Sequence, residues 1–143
     1  MNITRALALL SLCAGLTACN ATPKTPKEVL DNLDSYVGSN VRIKATLKAG
    51  LRCQLDTEDG KWQTYCGDCQ SCKGPFVVDM GPEGEEWPLV LSGTHEAKKI
   101  GCEGKLNEVE CFPMEPGKTY ILDGLLERGT PPKLIVERFQ PAS

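Results

Sequence analysis

Residues 36–47 read YVGSNVRIKATL, and their alternation decides how the chain folds. Val41, Ile43, Ala45 and Leu47 fall on one side; Arg42, Lys44, Thr46 and, one step on, Lys48 fall on the other. Side chains of a strand alternate with period two, so this is a strand with one buried and one solvated face. The pattern returns in residues 118–139, KTYILDGLLERGTPPKLIVERF. There Tyr120, Leu122, Gly124 and Leu126 share a face, and Leu134 and Val136 fit opposite them across the GTPP turn. Glycine in mid-strand at Gly124 predicts a bulge or a sharp bend.

Working outward, Thr25-Pro26-Lys27-Glu28 has the form of a capping box with proline at the first helical position. Val29, Leu30, Leu33 and Val37 recur at helical spacing until Gly38, which predicts one short helix from Pro26 to Tyr36. Residues 51–66, LRCQLDTEDGKWQTYC, carry Asp59-Gly60 at their middle, a two-residue hairpin signal. A type I′ turn there sets Cys53 opposite Cys66 on a non-hydrogen-bonded pair, where Cα atoms come close enough for a cross-strand disulfide. The same register turns Trp62 toward the core and leaves Trp87 as the exposed aromatic. FVVDM (76–80) and WPLVLSG (87–93) suit short strands around an acidic loop, GPEGEE. Residues 93–117 predict a helical turn near Glu96 to Ile100, then a segment tied by Cys102 and Cys111.

The order of elements resembles the small OB-type Greek-key barrels of bacterial envelope proteins. In that family a G-x-x-V-x-(I/V)-x-(G/A) strand opens the barrel and a Y-x-L-x-G strand comes near its end. The matching residues are Gly38, Val41, Ile43 and Ala45, then Tyr120, Leu122 and Gly124. Ala45 stands where glycine is usual, and the cysteines are not part of the common pattern. The resemblance implies a mainly β fold: a small OB-like barrel with a short N-terminal helix, stapled by disulfides. Such barrels host many functions, so the fold does not name an activity.

The N-terminus, MNITRALALLSLCAGLTAC, has one charge, Arg5, before an apolar run that is too short to span a bilayer. It closes on Leu16-Thr17-Ala18-Cys19, which resembles the bacterial lipoprotein box. That resemblance implies cleavage before Cys19, a diacylglycerol thioether on its sulfur and a fatty amide on the new N-terminus, enough acyl chains for stable anchoring. Asn20 leans toward the outer membrane, since the family's inner-membrane retention signal is aspartate at that place. The expected organisation is a signal peptide at 1–18, a lipidated N-terminus with a flexible tether at 19–27, and a single domain at 28–143. The chain has 16 Lys and Arg against 19 Asp and Glu, and losing Arg5 makes it more acidic still. An acidic envelope protein with few aromatics does not suit nucleic acid.

Eight cysteines become six once Cys13 leaves with the signal and Cys19 is lipidated: Cys53, Cys66, Cys69, Cys72, Cys102 and Cys111. An even count in an oxidising compartment reads as disulfides. With Cys53–Cys66 favoured, Cys69 and Cys72 pair either with each other or with Cys102 and Cys111, and two long-range bridges are the expectation. The CGDCQSC stretch also fits other chemistries. Its three cysteines match the first positions of a ferredoxin run, but Phe76 stands where the fourth ligand belongs. Zinc could take three of them plus Cys53 or His95. Two C-x-x-C units could exchange thiols, although glycine, aspartate and proline place them in a loop. His95, the only histidine, has no nucleophile motif around it. Glu83, Glu85 and Glu86 match no calcium-loop spacing. The sequence therefore points to a monomeric, non-enzymatic binding or structural module without cofactor or metal. It is held to the membrane by its lipid, with an envelope protein or glycan as partner. The alternative is a thiol-active or zinc-binding protein centred on Cys66, Cys69 and Cys72.

Overall fold

The computed structural model describes residues 21–55, 70–105 and 107–143. Among these residues two short helices, α1 (Pro26–Asp31) and α2 (Leu33–Tyr36), precede eleven strands. Five of these form the body: β1 (Asn40–Ala49), β4 (Phe76–Val78), β5 (Val90–Ser92), β10 (Thr119–Glu127) and β11 (Lys133–Pro141). They close into a barrel in the order β1-β10-β11-β5-β4. Neighbours are antiparallel except β11 and β5, which run parallel. Counted in chain order, the strands follow one another as first, fourth, fifth, third, second. This is the Greek-key order of an OB-type barrel, the fold expected from the sequence.

The alternation read from the sequence fills the barrel. Val41, Ile43, Ala45 and Leu47 of β1 and Tyr120, Leu122 and Leu126 of β10 are buried, with Phe76, Leu91, Leu134 and Val136 from the other strands. Burying such side chains contributes about 1.5–3 kcal/mol each. The mid-strand glycine has the expected consequence. The β10–β11 register shifts between Asp123 and Gly124, and a Cβ on Gly124 would lie 2.2 Å from the carbonyl oxygen of Ile135. Only a residue without a side chain admits that approach.

At the N-terminus the capping box forms as read: the Glu28 amide donates to Thr25 Oγ1 and the Thr25 amide donates to Glu28 Oε2. These bonds from Thr25 hold the Glu28 carboxyl below the usual carboxylate range. The single helix expected over Pro26 to Tyr36 breaks at Asn32, whose side-chain amide donates back to the Glu28 carbonyl and competes with the helical ladder. Val29 is fully buried in the core. The domain also starts before residue 28. The Lys24 amide donates to the Arg42 carbonyl, and Lys24 accepts from the Lys44 amide, a parallel bridge opposite Ile43. Because β4 pairs with β1 only at residues 47–49, the strand edge at Ile43 is open, and this short stretch of the expected tether covers it.

The remaining strands are outgrowths of two barrel loops. Between β1 and β4 come β2 (Arg52–Leu55) and β3 (Gln70–Gly74). Between β5 and β10 come β6 (Thr94–His95), β7 (Lys98–Lys99), β8 (Gly101–Lys105) and β9 (Glu110–Phe112). The two outgrowths join as a four-stranded sheet, β2-β3-β8-β9. At its root a Cβ on Gly74 would sit 1.7 Å from the Gly50 carbonyl oxygen, so the close approach of these two segments requires glycine. The helical turn expected near Glu96 to Ile100 is instead the tight β6–β7 hairpin. Its turn residues Glu96 and Ala97 both have positive φ, 51° and 62°, the two-residue geometry whose twist matches a hairpin.

Candidate functional site

The outer wall made by β1, β10 and β11 carries the most chemistry among the described residues. Outward positions on neighbouring strands meet by register: Arg42 lies opposite Asp123, and Asp123 lies opposite Arg138. Arg42 Nη1 donates to both Asp123 oxygens, at 3.4 and 3.2 Å, and both side chains are about four-fifths buried. Arg138 Nη2 stands 4.0 Å from the same carboxylate and is largely exposed. The bulge at Gly124 gives β11 one residue more than β10 in this stretch, which brings Glu137 to the wall beside Arg138.

One end of the wall is aromatic. The β6–β7 hairpin holds His95 edge-on to Phe139 (5.1 Å between ring centres) and near Phe112 (5.9 Å). Phe139 in turn meets Tyr120 edge to face, and Lys98 lies over the Phe112 ring at 4.7 Å. Together Arg42, His95, Asp123, Arg138, Phe139 and Gln140 border a cleft of about 400 Å³. It offers guanidinium and amide donors, carboxylate acceptors and the edge of an aromatic ring. Such a set can hold a polar ligand, and it holds no nucleophile with a base beside it. His95 is 3.8 Å from Glu96, beyond hydrogen-bonding reach, and its ring is engaged by the two phenylalanines.

A second recess, of about 430 Å³, lies on the solvent face of the appended sheet between Gln54, Ser71, Lys73, Glu103 and Lys105. Cys72 is part of its lining and belongs to one of two disulfides. Cys53 bonds to Cys72 across β2 and β3, and Cys102 bonds to Cys111 across β8 and β9. Each pair has Cα atoms 4.0 Å apart, directly opposite in the register. Both bridges project from one face of the sheet. The β3–β8 register sets Cys72 against Gly104 and Gly74 against Cys102, so glycines flank the sulfurs.

This arrangement corrects the expected pairing. Cys53 joins Cys72 rather than Cys66, because β2 pairs with β3 in a register that sets Cys53 directly opposite Cys72. The two long-range bridges give way to the local closure Cys102–Cys111. Cys66, Cys69 and Trp62 lie outside the described residues, as do Cys19 and the Asp59-Gly60 turn. Trp87 is half-buried rather than open, with the Arg52 guanidinium 4.7 Å above its ring. Glu83, Glu85 and Glu86 sit in an exposed loop. No three His, Cys, Asp or Glu among the described residues are grouped to hold a metal ion.

Arg42, Asp123 and Arg138 were not marked as site residues by the sequence. Their one signal was outward placement on alternating strands, and only the register brings them together. Comparison of the chain with protein-family models, with curated proteins and with solved structures gives no match.

Proposed function

We propose that this is a lipid-anchored protein of the bacterial cell envelope, probing its surroundings with an OB-type barrel that acts as a non-enzymatic binding or structural module. The observation that carries the reading is a lipobox ahead of a domain whose appended sheet is closed by two cross-strand disulfides. Disulfides persist in oxidising compartments, and a lipobox directs a chain there. OB barrels commonly bind with the face of their second and third strands. Here those strands, β4 and β5, have three residues each, so binding falls to the long strands β1, β10 and β11. The cleft there favours a polar partner, an envelope protein or a glycan. Asn20 favours the outer membrane.

The test is Cys19→Ser in a Gram-negative host. The parent protein is expected in the membrane fraction with acyl chains on Cys19 by intact mass, and the variant in the soluble fraction. A variant that stays with the membrane overturns the anchor.

The alternative centred on Cys66, Cys69 and Cys72 loses support because the Cys72 sulfur is already bonded to Cys53. Free-thiol counting on the non-reduced protein, with metal analysis, tests it: no free thiol and no zinc leaves the module or a labile-disulfide form of the alternative, and three or four free thiols with bound zinc overturns the module.

A further inference from the structure

The wall of β1 does not match the charge of the molecule as a whole. The chain is acidic, with a formal charge of −3. Yet the outward positions of β1 are Asn40, Arg42, Lys44, Thr46 and Lys48, three cations and no acid. Arg42 is engaged by Asp123, so the cations that stand toward solvent along this strand are the exposed Lys44 and the half-buried Lys48. Cross-strand from Lys44 is Ile121, a half-exposed aliphatic on the outer face of β10. Arg138 extends the positive charge onto β11, and Glu137 is the one further acid there.

The second observation is where the chain enters the barrel. The backbone of Lys24 is bonded to Arg42 and Lys44 on the edge of the same strand. From Cys19 to Lys24 is five residues, a reach of at most about 18 Å. An anchor at Cys19 therefore delivers the edge of β1, rather than the far side of the barrel, to the membrane surface.

We infer that the outward face of β1, centred on Lys44 and Lys48 with Ile121 beside them, rests on the anionic phospholipid headgroups of the bilayer that holds the lipid anchor. This rests on the lipoprotein reading for the anchor, but the charge complementarity is a property of the folded face. Lysines near an anionic surface are attracted within a Debye length, and an aliphatic between them suits the interfacial zone. The β11 end of the wall, where His95, Phe139 and Gln140 border the cleft, is then left to meet the partner, as is the recess of the appended sheet.

The experiment is amine footprinting, read lysine by lysine with mass spectrometry, of the acylated protein in phosphatidylcholine vesicles with and without phosphatidylglycerol. Lys44 and Lys48 are expected to lose several-fold in labelling only in the anionic vesicles, and to regain it at high salt. Lys73 and Lys133, on other strands, are expected to keep theirs. A Lys44→Glu/Lys48→Glu variant should remain anchored, yet its Ile121 strand should show the same hydrogen exchange in both vesicle types, where the parent is protected in the anionic one. Equal labelling of Lys44 and Lys73 in both vesicle types, or protection of Lys73 instead, overturns the inference. If intact mass shows no acyl chain on Cys19, the anchor reading fails by itself. The unacylated chain with saturating phosphatidylglycerol vesicles must then give the same footprint, and its absence there overturns the surface as well.

Discussion

Two residues with the same charge show how burial sets the worth of an ion pair. Asp123 meets Arg42 with both side chains only 18% exposed, whereas Asp34 meets Arg128 with both open to water. Asp123→Asn should lower stability by about 2 kcal/mol, because it leaves a largely buried guanidinium short of its acceptor. Asp34→Asn should change it by no more than about 0.5 kcal/mol. Urea denaturation of the two variants checks the contrast. Backbone conformation gives the opposite kind of case. Glu96 and Ala97 occupy left-handed geometry without being glycine or asparagine, a cost of about 1 kcal/mol each. Glu96→Asn/Ala97→Gly should raise the midpoint of thermal unfolding by a few degrees, about 1 kcal/mol of stability. Gly124→Ala should do the reverse by about 1–3 kcal/mol, since its Cβ has no room against Ile135.

At the scale of the element, the appended sheet depends on its sulfurs. Its strands are short, three to five residues each, and one face is given to solvent. The Cys102–Cys111 bridge closes a separation of 9 residues and Cys53–Cys72 one of 19. By loop-closure entropy each is worth about 3 kcal/mol. Cys102→Ser/Cys111→Ser should lose about that much, measured in guanidinium. Non-reducing peptide mapping should recover Cys53 joined to Cys72, and a Cys53 peptide joined elsewhere would show the β2–β3 register to be wrong. The capping box at Thr25 is a separate, local device: it starts α1 so that Val29 reaches the core, and it leaves Lys24 in position to close the edge of β1.

The molecule as a whole divides into a barrel without bridged cysteines in its five strands and a stapled sheet grown from two of its loops. Reduction should therefore raise amide exchange first in residues 52–55, 70–74 and 101–112, while β1 and β10 keep their protection. Hydrogen exchange before and after a reductant checks this, and simultaneous loss everywhere would mean that the two parts unfold as one. The same division marks what could be read in the residues. The period-two alternation of β1 and β10 and the capping box at Thr25 are local codes, written within a few positions of the chain, and each appears in the structure. The glycine at 124 is marked locally by its place in mid-strand, though what requires it is Ile135 on the neighbouring strand. The hairpin at Glu96-Ala97 is not legible in the residues, because no glycine or asparagine marks its turn. The partner of Cys53 is not legible locally, because a turn signal carries only local information, while the strand that pairs with β2 brings Cys72 from 19 residues on. The Arg42–Asp123–Arg138 wall was invisible for a like reason. Which side chains turn inward follows from the residues alone, because alternation is a property of one strand. Which strands lie side by side, and so which sulfurs bond and which charges meet, was decided only by closing the barrel, because register depends on every neighbour at once.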